Sequence, residues 1–346
     1  MQVCLAIDAM GGDHGPAVTV PATIQALALH SNLRIMLFGD SKQINAAIEQ
    51  NPKNQSGYLK YQDRILIQHT DEFVAMDESP AQALRQKRNS SMRLSIDAVH
   101  NKEAQACVSA GNTGALMAIA RFVLKTLTGV DRPAIITGLP SADGLVHVLD
   151  LGANVDCAAE HLLQFAVMGV VLVQELGLKK DPRVGLLNIG SEAIKGSQTV
   201  KEAAALLSQA PGINFIGFVE GDDVYKGTAD IVVCDGFVGN AMLKASEGIA
   251  KLIFKSAKKA FLGNLGAGLI GLMAKPFLKK AFAYFDPTHY NGASLLGLQG
   301  IVVKSHGNAS EEAFLRAIEV AITEVEHDVP SKISSQVADY LVGVHV

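Results

Sequence analysis

Short apolar runs alternate with longer segments of helical periodicity along most of this chain, and the runs end alike. Val3 to Ile7 leads to Asp8 and then Gly11-Gly12, and Leu33 to Phe38 leads to Gly39-Asp40. Arg64 to Gln68 is a third run, and Ala106 to Val108 feeds Ser109-Ala110-Gly111-Asn112-Thr113-Gly114. Ala134 to Thr137, Val146 to Leu149, Val184 to Ile189, Asn214 to Val219 and Ile231 to Cys234 follow. Consecutive apolar positions in runs of this length predict strands buried on both faces. Ala115 to Leu127 and the segment starting near Asn240 predict helices between them. The alternation predicts a mostly parallel α/β sheet with helices on both sides. No repeat or linker divides residues 1–346, so the chain reads as one α/β unit or two intimately associated lobes.

One segment breaks the pattern. From Ile249 to Tyr284 the chain reads as a helix, a glycine-rich apolar stretch and a second helix. Phe261, Leu262, Leu265, Leu269, Ile270 and Leu272 carry the apolar character. Lys251, Lys255, Lys258 and Lys259 precede it, and Lys275, Lys279 and Lys280 follow. The stretch is shorter than the roughly 20 residues that span a bilayer. It predicts a protruding hairpin over 249–284.

Composition narrows the class. The 346 residues are 49% apolar and 18% charged, which supports a large core and excludes a disordered chain. A formal charge of −4 gives no electrostatic case for nucleic acid. Cys4, Cys107, Cys157 and Cys234 are far apart without metal or redox spacing, and read as buried thiols. With no signal-peptide pattern at the N-terminus, a cytoplasmic location is expected.

Candidate chemistry lies in the small and polar residues that follow the strands. Glycine-rich turns at strand ends free backbone N–H groups for an anion. Met10-Gly11-Gly12-Asp13-His14-Gly15, Ser109 to Gly114, Leu151-Gly152-Ala153-Asn154, Gly190 to Gly196 and Asp235-Gly236-Phe237-Val238-Gly239-Asn240 are five such turns. If all lie on one edge of the sheet, they line one cleft. Lys195, near Ser191 and Glu192, is either a surface lysine or a cation for phosphate or an oxyanion. Asn240 is either a helix N-cap or an amide donor to a carbonyl oxygen. His14 beside Asp13 is a candidate base, while His289 and His306 lack metal spacing. Gly266-Ala267-Gly268-Leu269-Ile270-Gly271, with Asp286 downstream, matches a dinucleotide fingerprint but follows no strand. Gly221-Asp222-Asp223 reads as a solvated turn rather than a metal site. No Gly-x-Ser-x-Gly elbow is present, so direct attack by a bound nucleophile fits better than a covalent enzyme intermediate.

Ala6-Ile7-Asp8-Ala9-Met10-Gly11-Gly12-Asp13-His14-Gly15-Pro16 resembles the N-terminal signature of the bacterial phosphate acyltransferase (PlsX) family. Ser109–Ala115, Leu149–Asp156, Asn188–Gly196, Asp235–Asn240 and Gly292–Gly300 follow in family order, so the likeness runs from Val3 to about Asn308. The resemblance implies a Rossmann-like three-layer α/β/α sandwich, similar to phosphotransacetylases and isopropylmalate-type dehydrogenases. It implies that fatty acyl-[acyl carrier protein] and inorganic phosphate give acyl phosphate and free carrier for phospholipid synthesis. Phosphate is then a substrate, with no cofactor and no metal. The implied partners are acyl carrier protein, a second copy in a homodimer and a downstream membrane acyltransferase.

On this likeness Lys195 and Asn240 are the expected catalytic residues. Asp8, Gly11, Gly12, Asp13, His14, Ser109, Gly111, Asn112, Thr113, Gly114, Asn154, Glu192, Asp235 and Gly239 are the expected phosphate and substrate contacts. Asn291-Gly292-Ala293 departs from a family Gly-Gly, which an Asn at positive φ would accommodate. The hairpin is read as a dimer element, a peripheral membrane contact, or both. Arg85, Lys87, Arg88 and Arg93, or the hairpin lysines, are candidate docking charges for an acidic carrier. A phosphotransacetylase acting on coenzyme A thioesters, a dehydrogenase on the same fold and a non-catalytic scaffold are the competing readings.

Overall fold

The computed structural model describes residues 2–261, 274, 277 and 287–341. Eleven strands form one sheet: β1 (Val3–Asp8), β2 (Leu33–Gly39), β3 (Ile65–His69), β4 (Ala106–Ser109), β5 (Ala134–Ser141), β6 (Gly144–Leu149), β7 (Arg183–Leu187), β8 (Asn214–Val219), β9 (Ile231–Val233), β10 (Ala293–Leu296) and β11 (Ile301–Lys304). Their spatial order is β3-β2-β1-β4-β11-β10-β5-β6-β9-β7-β8. All nine strands expected from the apolar runs are present, with ends shifted by a few residues. The runs at 134 and 146 extend toward each other as an antiparallel pair, Ile136 opposite Leu149 and Ser141 opposite Gly144. β10 and β11 lie beyond the expected runs, because four residues each are too few to display a period.

Alternation within single strands produces the three layers. Val3, Leu5 and Ile7 of β1 enter one core with the helices Pro16–Leu29 and Glu311–Glu326. Ala6 enters another, with Ile96, Leu116 and Ile119 on the opposite face. In β9, Ile231 and Val233 face the helix Ala159–Glu175 while Val232 faces away from it. These central strands therefore bury both their odd and their even positions, which is why their runs are apolar throughout, whereas the edge strand β3 buries none of its residues. Cys107 and Cys234 are buried as expected, but Cys4 and Cys157 are only partly covered.

Strand direction corrects the single-edge expectation. β3, β2, β1, β4 and β11 are mutually parallel. β10 and β5 then alternate in direction, and β6 is antiparallel to β5. β9, β7 and β8 follow β6. The carboxyl ends of the first five strands thus point one way along the ladder, and those of β6, β9, β7 and β8 point the other. The five turns fall into two groups.

The helix expected near Asn240 begins at Gly236 and continues unbroken to Phe261 as one 26-residue helix. It contains the start of the proposed hairpin. Apart from Ala274 and Phe277, the remainder of that hairpin, including Leu262, Leu265, Leu269, Ile270, Leu272 and the fingerprint, lies outside the described residues, as does Asp286. Among the described residues, no helix is long and apolar enough to cross a membrane.

Beneath the centre of the sheet, Glu324 is buried and accepts from Ser294 Oγ at 2.9 Å. Burial pushes its pKa up to about 7 from the ordinary 4.5. The unfolded chain ionises first, so stability should fall as pH rises from about 4.5 to about 7, by on the order of 3 kcal/mol. Glu324→Gln should remove that slope in urea titrations at pH 5 and pH 8. A variant with the wild-type slope would show that Glu324 does not set it.

Candidate active site

The first group gathers where β1, β4 and β11 end. Asp8 is in register with Ser109, and Ser109 with Lys304, so these three form a row across neighbouring strands. All three are buried. Asp8 accepts from Ser91 Oγ and Ser109 Oγ, each at 2.6 Å. Burial raises its pKa against those bonds. Ser109 Oγ also accepts from Gly111 N at 3.0 Å. The two glycine turns press together over this row. A Cβ on Gly11 would come 2.7 Å from Asp8 Oδ2 and 2.8 Å from Gly111 N, and Gly12, at φ 87°, sits against Ala110 and the Gly307 carbonyl. Only residues without a Cβ fit there. Asp13 N donates to that Gly307 carbonyl at 2.8 Å.

The second group forms after β6, β9 and β7. Its centre is Asp150, which is fully buried. Its carboxylate accepts from Ile135 N, Gly152 N, Ala153 N, Asn154 N and Asn154 Nδ2, at 2.6–3.2 Å. Burial pushes its pKa up and these donors push back. Gly236 N donates to Asn154 O at 2.7 Å, which ties the next strand's turn to the first. A Cβ on Gly239 would overlap the Asp150 carbonyl, so this glycine lets the helix Gly236–Phe261 start against the turn. A Cβ on Gly152 would stand 3.5 Å from the Asn240 side chain, so the two lie side by side.

β7 adjoins β9, with Leu186 opposite Val233, so the Gly190–Gly196 loop borders the same turns. Asn188 cinches it, Nδ2 donating to Gly190 O at 3.1 Å and Lys195 O at 3.2 Å. Lys195 Nζ lies 2.8 Å from Glu192 Oε2, both half exposed. The bond raises the lysine's pKa and lowers the glutamate's. Asn240 is exposed. Around these two, Val155, Ile189, Ile194 and Phe237 stand 62–84% exposed, an apolar rim on an otherwise polar set of turns.

The helix Gly236–Phe261 connects the groups. Asn240 and Lys244 are four residues apart, about 6 Å along one face. While Asn240 meets Gly152, Lys244 acts electrostatically on both Lys304 and His306. One helical face therefore passes from the second group to the first.

Several expected contacts also make structural hydrogen bonds. Asn240 is not an N-cap: Asp235 holds that place, its Oδ1 accepting from Val238 N at 2.8 Å. Asn112 caps the helix Thr113–Leu124 through Ala115 N and donates to Met76 O and Glu78 O. Asn154 Nδ2 also donates to Pro133 O at 2.8 Å. Thr113 and Gly114 are exposed in the first turn of their helix, and His14 lines an open groove with Asn308 and Arg316. Asn291 needs no positive φ. Gly292 takes it, at 113°, while Asn291 bonds Ser305 Oγ, Ala313 O and His306 N. Asp222 and Asp223 pair with Lys226, as a solvated turn should. Among the described residues, Asp40, His69 and Asp71 bring metal-type ligand atoms within 4.8 Å, but Asp40 caps a helix and the other two are exposed. Lys304, Asp150 and Asn188 carry the two groups and were not singled out from sequence; each follows an apolar run that masks a polar end.

The architecture is that of phosphotransacetylases. It superposes on one from Streptococcus pyogenes with a TM-score of 0.60 over 94% of each chain, at 14% identity. For one from Staphylococcus aureus the TM-score is 0.58 and the identity 17%, again over 94% of each. The family model described as "Fatty acid synthesis protein" matches residues 3–332. The phosphate acyltransferase of Methylococcus capsulatus is 54% identical over 97% of each chain, and that of Ectopseudomonas mendocina 53% over 97% of this chain and 98% of its own. This chain belongs to that fatty acid synthesis family, alongside the phosphate acyltransferases.

Asp150→Ala should leave its N–H donors without an acceptor and destabilise the fold by about 3 kcal/mol or more. The urea midpoint measures this. An unchanged midpoint would remove Asp150 as the organiser of the second group.

Proposed function

We propose that the chain transfers a fatty acyl group from acyl-[acyl carrier protein] to inorganic phosphate, releasing acyl phosphate for phospholipid synthesis. The observation that carries this reading is the pairing of exposed Lys195 and Asn240 on adjoining strand-end turns, rimmed by Val155, Ile189, Ile194 and Phe237. A cation and an amide donor suit phosphate and a thioester carbonyl, and the rim suits an acyl chain.

A phosphate oxygen attacks the thioester carbon, forming the C–O bond as negative charge moves onto the carbonyl oxygen. The C–S bond then breaks, and the sulfur takes the proton of monohydrogen phosphate. Lys195 offsets phosphate charge so that the two anionic groups approach, and Asn240 donates to the oxyanion. Alignment of the two reactants supplies further rate, on the order of 7–11 kcal/mol at best. The glycine turns of the first group contribute backbone donors further along the same helix face.

The carrier is acidic, and Arg85 and Arg88 are exposed on and beside the helix Pro80–Gln86, which packs against Thr113–Leu124. Arg93 is a weaker docking charge because it pairs with Asp97 at 2.8 Å. Ile249, Leu252 and Ile253 form an exposed stripe at helical spacing on Gly236–Phe261. This stripe supports a homodimer contact, and the lysine-flanked apolar segment after it supports peripheral attachment to an anionic membrane from a cytoplasmic location.

Lys195→Ala and Asn240→Ala should each lower kcat for phosphate-dependent release of free carrier roughly 100- to 1,000-fold. Thiol release from acyl-carrier and acyl-coenzyme A donors measures it. Near-wild-type rates would sink these roles, and a preference for coenzyme A would sink the carrier. In flotation with anionic vesicles, Leu269→Asp combined with Ile270→Asp should leave the protein unbound; undiminished binding would remove the membrane contact.

A further inference from the structure

Lys304 is an unusual residue for its position. It closes the four-residue strand β11, whose other residues are all apolar and buried, and it is itself only 8% exposed. Lysine is almost never this buried without a carboxylate partner, because desolvating an ammonium is costly. Here the ammonium donates to two backbone carbonyls, Ala110 O at 3.3 Å and Ser305 O. Among the described residues no carboxylate forms an ion pair with it. Asp8, two strands away in the same row, acts on it only through space and is committed to the hydroxyls of Ser91 and Ser109. Asp13 also acts at a distance and is itself exposed.

An ammonium has three hydrogens, and two are accounted for. Its surroundings are those of an anion site rather than of a core lysine. Ala110, whose carbonyl it holds, lies between Ser109 and Gly111, in the turn packed against Gly11 and Gly12. A second ammonium, Lys244, approaches from the helix Gly236–Phe261. Lys244 is paired with Glu247 at 3.0 Å on its own helix, so the charge it presents toward Lys304 is partly offset, whereas Lys304 has no carboxylate in contact. Burial lowers the Lys304 pKa to about 8; Asp8 pulls it back upward through space, and Lys244 adds a smaller push down.

We propose that Lys304 is the buried cation of a phosphate subsite at the carboxyl ends of β1, β4 and β11, with Lys244 on its open side. The ligand is a phosphate group, either the inorganic substrate or a phosphoester carried by the thioester donor. The choice between those sources rests on the transacylase reading above. Lys244 lies one helical turn beyond Asn240 and acts on Lys304, so a donor lying along that helix would run from one group toward the other.

Lys304→Met keeps the length of the side chain and removes its charge. It should raise KM by roughly tenfold or more for the reactant whose phosphate it binds, with kcat changed less. A rise for inorganic phosphate alone identifies the substrate ion, and a rise for the acyl-carrier donor alone identifies the phosphoester. Both KM values within twofold of a transacylating wild type would overturn the subsite and leave the proposed reaction standing. If Lys304→Met does not fold, crystals of the wild-type chain soaked in inorganic phosphate decide, independently of turnover. Phosphate about 3 Å from Lys304 Nζ supports the subsite. Phosphate bound elsewhere, or none, overturns it.

Discussion

The reversal of strand direction in the middle of the sheet is the constraint on which the rest depends. β10, β5 and β6 are the antiparallel joint between two parallel fields. Parallel strands deliver their loops to one end, so two opposed fields deliver them to two. A sheet of this kind cannot line one edge with all its glycine turns. It needs an element that runs from one set of carboxyl ends toward the other, and the helix Gly236–Phe261 is that element.

Each end is organised by a buried carboxylate. Asp150 gathers backbone N–H groups and so holds the turn beside Asn240; Asp8 gathers two serine hydroxyls and holds the turn beside Gly11. A buried carboxylate left without donors would be expensive. These two are satisfied locally, and neither forms an ion pair with the cations nearby, although Asp8 acts on Lys304 through space. Lys195 keeps a half-exposed partner in Glu192, and Lys304 has none in contact. The buried acids Asp8 and Asp150 therefore act as scaffold, while Lys195 and Lys244 each keep a carboxylate partner on their own segment and Lys304 does not.

The same division explains why several expected site residues also carry structural hydrogen bonds. Asn112, Asn154 and Asp235 have the composition of a binding turn, and all three spend their side chains on capping or on tying turns together. Capping and ligand binding call on the same residue types, because both satisfy free N–H or C=O groups. Composition does not separate them; a count of hydrogen bonds does.

By itself the sequence determined the layered α/β class and nine of the strands, because the central strands, buried on both faces, are apolar at nearly every position, and the edge strands keep short apolar runs between turn residues. It also located the turns rich in glycine and asparagine, since those backbone conformations admit few other residues, and the family likeness singled out Lys195 and Asn240. Only the tertiary structure decided how the strands are ordered and which way they run. Pairing partners are distant in the chain: β11 lies beside β4, nearly 200 residues away, and both strands are only four residues long. The tertiary structure alone also brought Lys304 into a row with Ser109 and Asp8. A lysine after three apolar residues looks like a strand end in solvent, and only the neighbours that cover it made it a buried charge.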